Sequence, residues 1–234
     1  MSAREEIFAG IRRSLHVTGA EAPRRAAVEA RLAQHSPGII PARGKGDEAT
    51  RLATFRSEVL LAGATIAEVA SAAQAPAEIA RFLRDSNLPA TLRMGDDARL
   101  RALPWSETAV EVFFGGPSDG NDLNAVSAAF AGVAESGTLA LLSGADNPTT
   151  LNFLPDNHIV VVFAEDVLGD YESVFAKLRA SFGAALPRTV NFITGPSRSA
   201  DIEQTLLFGA HGPRRLHVVV VNRSALAQAG DCAL

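Results

Sequence analysis

The stretches IVVVF (residues 159–163) and LHVVVV (residues 216–221) decide the fold. Each is a short and nearly continuous run of branched apolar residues. A strand with one face in water alternates apolar and polar side chains, and these two runs do not alternate. They therefore predict strands that are buried on both faces, as in parallel sheets covered by helices on each side.

Further strands and helices alternate along the chain around these two runs. The apolar pattern predicts five more strands, at residues 65–69, 90–94, 110–114, 139–142 and 190–193. It predicts helices at residues 49–61, 76–84, 170–182 and 201–209. This alternation predicts an α/β fold with an open, mainly parallel sheet and flanking helices.

The first 47 residues differ in character from the rest. Ile7, Ile11 and Leu15 recur at helical spacing, and an Ala/Arg-rich stretch follows at residues 24–34. The sequence SPGIIPARGKGDE (residues 36–48) contains two prolines and three glycines with little periodicity, which indicates a linker. We therefore expect an N-terminal helical arm and linker over residues 1–47 and the α/β domain over residues 48–234.

Composition excludes several classes of protein. The formal net charge of -4 argues against nonspecific binding to nucleic acid or to an anionic membrane. No apolar run approaches the roughly 20 residues that a membrane span requires, and the first residues lack the apolar centre of a secretory signal. We therefore expect a cytoplasmic protein.

Cofactors held by cysteine or histidine clusters are also unexpected. The single cysteine, Cys232, cannot form an internal disulfide, build a zinc finger or ligate an iron–sulfur cluster. No two histidines have the spacing of a metal-binding pair. The prediction is that this chain itself binds no metal or cofactor.

Two polar loops follow predicted strands, and ligands of open parallel sheets bind beyond the carboxyl ends of the strands. The loop 143–152 offers hydroxyl, amide and carboxylate groups, although Asp146-Asn147-Pro148 is also a common turn. The loop 194–201 contains Arg198 and precedes a predicted helix, a setting that suits an anion. Asp201 and Gln204 fit a helix cap equally well.

The acidic turn 134–138, AESGT, is the third polar feature. Glu135 could act as a general base, as a nucleophile or as an acceptor for a ligand hydroxyl. It could equally accept hydrogen bonds from the backbone of its own turn. The sequence leaves both interpretations open.

Two long blocks, AFAGVAESGTLALLSGADNPTTLNFLPDNHIVVV (residues 129–162) and ITGPSRSADIEQTLLFGAHGPRRLHVVVV (residues 193–221), closely resemble the lactate-utilisation (LUD) domain family. The resemblance makes Glu135 a candidate catalytic residue. The resemblance and the polar groups of these loops together suggest a site for a small carboxylate or phosphate at the carboxyl ends of the strands. The candidate binding residues are Ser136, Gly137, Thr138, Asn147, Thr149, Thr150, Asn152, Thr194, Ser197, Arg198 and Asp201.

This resemblance implies a fold similar to that of sugar-phosphate isomerases, CoA-transferases and folate cyclo-ligases. It also implies a role in a bacterial system that oxidises L-lactate to pyruvate, with partner proteins that carry the iron–sulfur clusters. The expectation is therefore a complex subunit that has no cluster of its own.

Two alternatives stay open at this point. The chain could be a free-standing enzyme like a CoA-transferase or an isomerase, with Glu135 as base or nucleophile. It could also resemble an ATP-dependent ligase, with the loop 194–201 around a phosphate.

Overall fold

A computed structural model describes residues 2–183, 185–199 and 207–222, with only the backbone for residues 207 and 208. The contacts divide the chain into two compact units, residues 1–39 and residues 40–234, and this division falls inside the predicted linker. Asp201 and Cys232 lie outside the described residues. Each unit is described by itself below.

The first unit contains two helices, α1 (Ala3–Leu15) and α2 (Ala22–Gln34). α1 begins with a capping box, in which the Ser2 side chain accepts from the backbone of Glu5 and the Glu5 side chain accepts from the backbone of Ser2. A proline in the first turn starts α2. Neither helix contains a buried residue.

The second unit contains the remaining helices and all the strands. Its helices are α3 (Glu48–Leu61), α4 (Ala75–Asp85), α5 (Ala98–Arg101), α6 (Thr150–Phe153) and α7 (Tyr171–Phe182). Its strands are β1 (Thr65–Val69), β2 (Thr91–Met94), β3 (Glu111–Phe114), β4 (Asn124–Ala128), β5 (Ala131–Val133), β6 (Thr138–Leu142), β7 (Asn157–Phe163), β8 (Val167–Leu168), β9 (Val190–Ile193), β10 (Arg198–Ser199), β11 (Leu207–Phe208) and β12 (Arg215–Val221).

Six strands form a parallel sheet in the order β1-β12-β7-β4-β2-β3. The runs 159–163 and 216–221 lie in the adjacent central strands β7 and β12, and both strands are buried on two faces. The prediction of an α/β fold with a mainly parallel sheet and flanking helices is confirmed.

A second, four-stranded sheet has the order β8-β5-β6-β9. Both β5 and β9 pair antiparallel with β6. The segments 139–142 and 190–193 were expected in the parallel sheet, and they belong to this second sheet instead. The turn between β5 and β6 is too short for the crossover of a dozen or more residues that a parallel pair requires.

The sequence pattern also missed the short strands β5, β8 and β10 and the short helices α5 and α6, and it failed at two longer segments. It missed β4, a central strand with the sequence NAVSA, because asparagine and serine interrupt its apolar residues. The predicted helix 201–209 is wrong at residues 207–208, which form β11 and pair with β10. The part of that helix at 201–206 lies outside the described residues.

Alternate residues of β7 face opposite layers of the core. Ile159 and Val161 pack in the cluster that contains α4, whereas Val160 and Val162 pack with α3 and β6. α7 covers the other face of the second sheet. Burial of each such side chain stabilises the fold by about 1.5–3 kcal/mol, so a charge on either face of β7 would be strongly unfavourable.

α3 packs closely against the turn that precedes β6. Its Asp47 cap accepts from the backbone of Thr50, and its buried side chains are Phe55 and Val59. Gly137 ends the turn with φ +63°, and a Cβ there would stand 2.5 Å from the backbone nitrogen of Val59. The close approach of the turn to α3 therefore requires glycine.

Gly137→Ala should be much more destabilising than Gly116→Ala, although both glycines have positive φ. Gly116 has φ +77° and nothing within 4 Å of an added Cβ, so alanine there costs about 1–2 kcal/mol from backbone strain alone. At Gly137 displacement of the α3 backbone adds about 1–3 kcal/mol. Urea unfolding of both variants measures the difference, and equal costs would contradict the close packing.

His217, on β12, is buried and uncharged at neutral pH. Its ring stacks on Phe82 of α4 at 4.1 Å with an interplanar angle of 7°, and its Nδ1 lies 2.8 Å from the Thr65 hydroxyl. Burial lowers the pKa of His217 to about 4, although Glu78, with Oε1 3.6 Å from Nε2, acts in the opposite direction. This contact is therefore not an ion pair at neutral pH.

Acid should destabilise the protein through His217. Between pH 6.5, the ordinary pKa, and pH 4, the unfolded chain binds a proton that the folded chain does not, so the free energy of unfolding falls as the pH falls. In His217→Gln the slope should be shallower by up to about 1.4 kcal/mol per pH unit. Denaturant titrations across this range measure it.

Val161→Ala is the matched control, since it weakens the same core without removing a titratable group. It should lower the free energy of unfolding equally at every pH. An unchanged slope in His217→Gln would show that, between pH 4 and 6.5, His217 binds its proton in the folded protein as it does in the unfolded chain.

Candidate functional site

A cluster of hydroxyl groups joins the acidic turn, α7 and the loop after β9. The buried Thr138 hydroxyl lies 2.8 Å from those of Ser136 and Tyr171 and 2.6 Å from that of Thr194. Ser136 also donates to Tyr171 at 3.1 Å. The structure thus brings together three predicted residues with Tyr171, which the sequence analysis did not select.

Glu135 is buried beside this cluster, at the start of α7. Its Oε1 accepts from the backbone of Tyr171 at 3.4 Å, and its own N–H donates to the carbonyl of Gly169. A carboxylate is favourable at a helix N-terminus, where free N–H groups and the helix dipole attract negative charge. Glu135 belongs to the lining of neither cavity described below. Its contacts favour a structural role.

A cavity of about 250 Å³ lies at the amino ends of β7 and β12, and we call it the amino-end cavity. It contains four of the predicted residues. Its lining comes from α6, the first residues of β7 and β12, the loop after β9 and the turn before β12, and consists of Asn152, Phe153, His158, Phe192, Ile193, Thr194, Gly195, Pro196, Ser197, Arg198, His211, Gly212, Pro213 and Leu216.

The rim of this cavity carries Thr194, Ser197 and Arg198. The backbone N–H of Ser197 donates to the carbonyl of Pro213 at 2.8 Å, which fixes the loop after β9 against the turn before β12. The exposed Arg198 guanidinium lies beside Gly63 at the end of α3. No salt bridge to Arg198 occurs within the described part of the chain.

The buried side chains of Asn152 and His158 form the floor of the cavity, and Ser127 bonds to both of them. The Ser127 hydroxyl donates to Asn152 Oδ1 at 3.2 Å and lies 3.1 Å from His158 Nε2. Burial lowers the pKa of His158 to about 3, so its ring is neutral. Within the described residues, Asn152 Nδ2 and His158 Nδ1 have no hydrogen-bond partner.

Sequence reasoning did not assign a function to His158 or Ser127. A histidine at the start of a strand is usually structural, and Ser127 lies in the strand that the pattern missed. The register of β4 and β7 pairs Ala125 with His158 and Ser127 with Val160, so the two side chains share a face. The residues near Ser127 and His158 in the sequence do not predict this register.

A second cavity, of about 360 Å³, lies beyond the carboxyl ends of β2 and β4. The strand order reverses there, which is the usual ligand position in open parallel sheets. We call it the carboxyl-end cavity. It is lined by Asp97, Ala98, Arg99, Ala128, Phe130, Leu142, Asp146, Asn147 and Phe182.

In the carboxyl-end cavity, the positively charged Arg99 already pairs with Asp97. Arg99 donates from Nε and Nη2 to the two carboxylate oxygens of Asp97, at 3.1 and 2.7 Å, and from Nη1 to the carbonyl of Ala129. Burial lowers the pKa of Arg99, but Asp97 more than offsets this effect and holds it above its ordinary value. With Asp146 also present, this cavity is less suited to an anion than the amino-end cavity.

The remaining predicted residues stabilise loops. The Asn147 side chain donates to the carbonyl of Leu142, the Thr150 hydroxyl accepts from the backbone of Ser118, and the carbonyl of Thr149 accepts from the backbone of Asn152. The predicted set is therefore divided among the hydroxyl cluster, the two cavities and these loops.

The expected location, at the carboxyl ends of the parallel strands, also needs correction. The loop 194–198 follows β9, which belongs to the second sheet and runs antiparallel to β6. This direction carries the loop to the amino ends of β7 and β12.

Two general features complete the description. Across residues 2–183, 185–199 and 207–222, no group of three or more His, Cys, Asp or Glu side chains is arranged to hold a metal ion. None of the helices in those ranges combines the length and the apolar character that crossing a bilayer requires.

Known proteins similar to this chain were found by sequence. Residues 124–221 match the family model of the LUD domain. Lactate utilization protein C of Geobacillus thermodenitrificans (strain NG80-2) is 41% identical over 91 residues, which are 38% of this chain and 38% of that protein. The protein of the same name from Halalkalibacterium halodurans is 41% identical over 91 residues, which are 38% of this chain and 40% of that protein. The chain thus aligns with well under half the length of these curated relatives.

A solved structure supports the fold. The crystal structure of a DUF162 family protein from Deinococcus radiodurans superposes with a TM-score of 0.57 at 24% sequence identity. The superposition covers 76% of this chain and 99% of that chain. The resemblance found in the sequence is confirmed for residues 124–221, which match the LUD domain, and 91 residues of the chain align with proteins named lactate utilization protein C.

Proposed function

We propose that this chain acts in bacterial lactate utilisation, as a component without an iron–sulfur cluster, and that it binds a small carboxylate in the amino-end cavity. The relatives named lactate utilization protein C motivate the choice of pathway. The observation that carries the choice of site is the exposed Arg198, which lines this cavity together with Thr194 and Ser197.

The chemistry of the rim suits a carboxylate. A guanidinium offers two parallel N–H donors that match the two oxygens of a carboxylate. The hydroxyls of Thr194 and Ser197 lie in the same lining and add neutral polar groups. The volume of about 250 Å³ is near the lower end for ligand sites, and it fits a ligand of few atoms such as lactate.

The proposal assigns electron transfer to partner proteins. Oxidation of L-lactate to pyruvate releases two electrons and two protons, and an acceptor must take up the electrons. The single cysteine of these 234 residues cannot ligate an iron–sulfur cluster. In this proposal, partners that carry such clusters accept the electrons.

A free-standing enzyme that uses Glu135 as base or nucleophile has less support. The Glu135 carboxylate accepts from the backbone at the start of α7 and does not line the amino-end cavity. The grouping with CoA-transferases and isomerases, and the ATP-dependent ligase alternative, stay predictions.

Arg198→Gln should weaken the binding of L-lactate roughly ten- to a hundredfold, because hydrogen bonds to a charged group contribute about 1.5–3 kcal/mol. Isothermal titration of the purified chain with L-lactate measures the loss. Arg56→Gln is the control, since this arginine pairs with Glu68 away from the cavity and should keep full affinity. Equal affinity in the two variants would exclude Arg198 from the site.

Deletion of the gene should abolish growth on L-lactate as sole carbon source in a bacterium that encodes this protein once. Growth on glucose should be unaffected, and the wild-type gene should restore growth on lactate, whereas the Arg198→Gln gene should restore it only in part. Normal growth of the deletion strain on lactate would overturn the proposed role.

A further inference from the structure

We infer that the floor of the amino-end cavity selects a 2-hydroxy acid over the corresponding 2-oxo acid, through His158 and Asn152. This inference rests on the proposed function, in that the rim of the same cavity binds the carboxylate. It goes further because it assigns a selective role to a histidine and an asparagine at the cavity floor.

The hydrogen-bond pattern fixes which nitrogen of His158 carries the proton. The hydroxyl of Ser127 has one hydrogen, and this hydrogen is donated to Asn152 Oδ1, which can only accept. The Ser127 oxygen must therefore accept from His158 Nε2, which lies 3.1 Å away. Because the buried ring is neutral, His158 Nδ1 carries a lone pair and no proton.

Among the residues that the structure describes, the floor consequently holds one acceptor and one donor that lack partners. His158 is 1% exposed and Asn152 is 0% exposed, and both line the cavity. His158 Nδ1 can accept a hydrogen bond, and Asn152 Nδ2 can donate one. Buried polar atoms are rarely left unpaired, so two such atoms on residues that line one cavity point to a polar ligand or a bound water.

A 2-hydroxy acid satisfies both atoms. Its hydroxyl hydrogen can be donated to His158 Nδ1, and an oxygen of the ligand can accept from the Asn152 amide. A 2-oxo acid has no such hydrogen, and its carbonyl oxygen would turn a lone pair toward the lone pair of Nδ1. A site built around a ligand hydroxyl discriminates strongly against an analogue that lacks it.

The first experiment compares three carboxylates of nearly equal size: L-lactate, pyruvate and propionate. Isothermal titration of the full chain should show L-lactate binding at least about tenfold more tightly than the other two, since each of these lacks the donated hydroxyl hydrogen. Ser127→Ala removes the hydroxyl that accepts from Nε2, so the His158 proton is free to move to Nδ1. This variant should lose most of the preference and still bind propionate.

Two controls separate selectivity from folding. Ser173→Ala removes a hydroxyl that donates to Asp170 at the start of α7, and it should keep the preference for L-lactate. Nitrogen-15 NMR of the ligand-free protein identifies which ring nitrogen of each histidine carries a proton. In the wild-type protein, His158 should carry its proton on Nε2.

The outcomes distinguish this inference from the proposed function. If all three carboxylates bind equally, as they would over a floor filled by water alone, the inference fails and the carboxylate site stands. If none binds, the proposed site fails and the inference fails with it. A proton on His158 Nδ1 in the wild-type protein would overturn the inference whatever the affinities.

Discussion

The parallel pairing of β7 with β12 on one side and β4 on the other is the constraint on which the second unit depends. Both faces of β7 are buried, so helices must cover one face while α3 and the second sheet cover the other. The same burial acts on the polar residues where β7 begins. Asn157 finds partners in the backbone of Leu123 and the side chain of Asn124, whereas one nitrogen of His158 has no partner among the described residues.

The sequence indicated the strands that are rich in apolar residues and the helices of more than ten residues. It did not indicate β4, because Asn124 and Ser127 give that strand a mixed composition even though all its residues are buried. It also assigned β6 and β9 to the wrong sheet. Periodicity reports how a strand is buried, whereas its partners depend on connection length and on contacts distant in the sequence.

The candidate site shows the same division between local and long-range information. Asn152, Thr194, Ser197 and Arg198 were recognisable as polar residues in family-typical loops, and they do line one cavity. Ser127 was not recognisable, since only the register of β4 against β7 brings its hydroxyl to the ring of His158. Next to the acidic turn, the Thr138 hydroxyl contacts both Tyr171 of α7 and Thr194 of the loop after β9.

The amino-end cavity joins a floor from α6 and the parallel sheet to a rim that follows the second sheet. No short stretch of the chain contains both parts, so no partly folded segment can hold a ligand there. A ligand bound in this cavity would therefore raise the free energy of unfolding of the whole second unit by mass action. The free energy of local fraying would stay almost unchanged. A ligand in this cavity would thus couple its binding to the cooperative folding of the second unit.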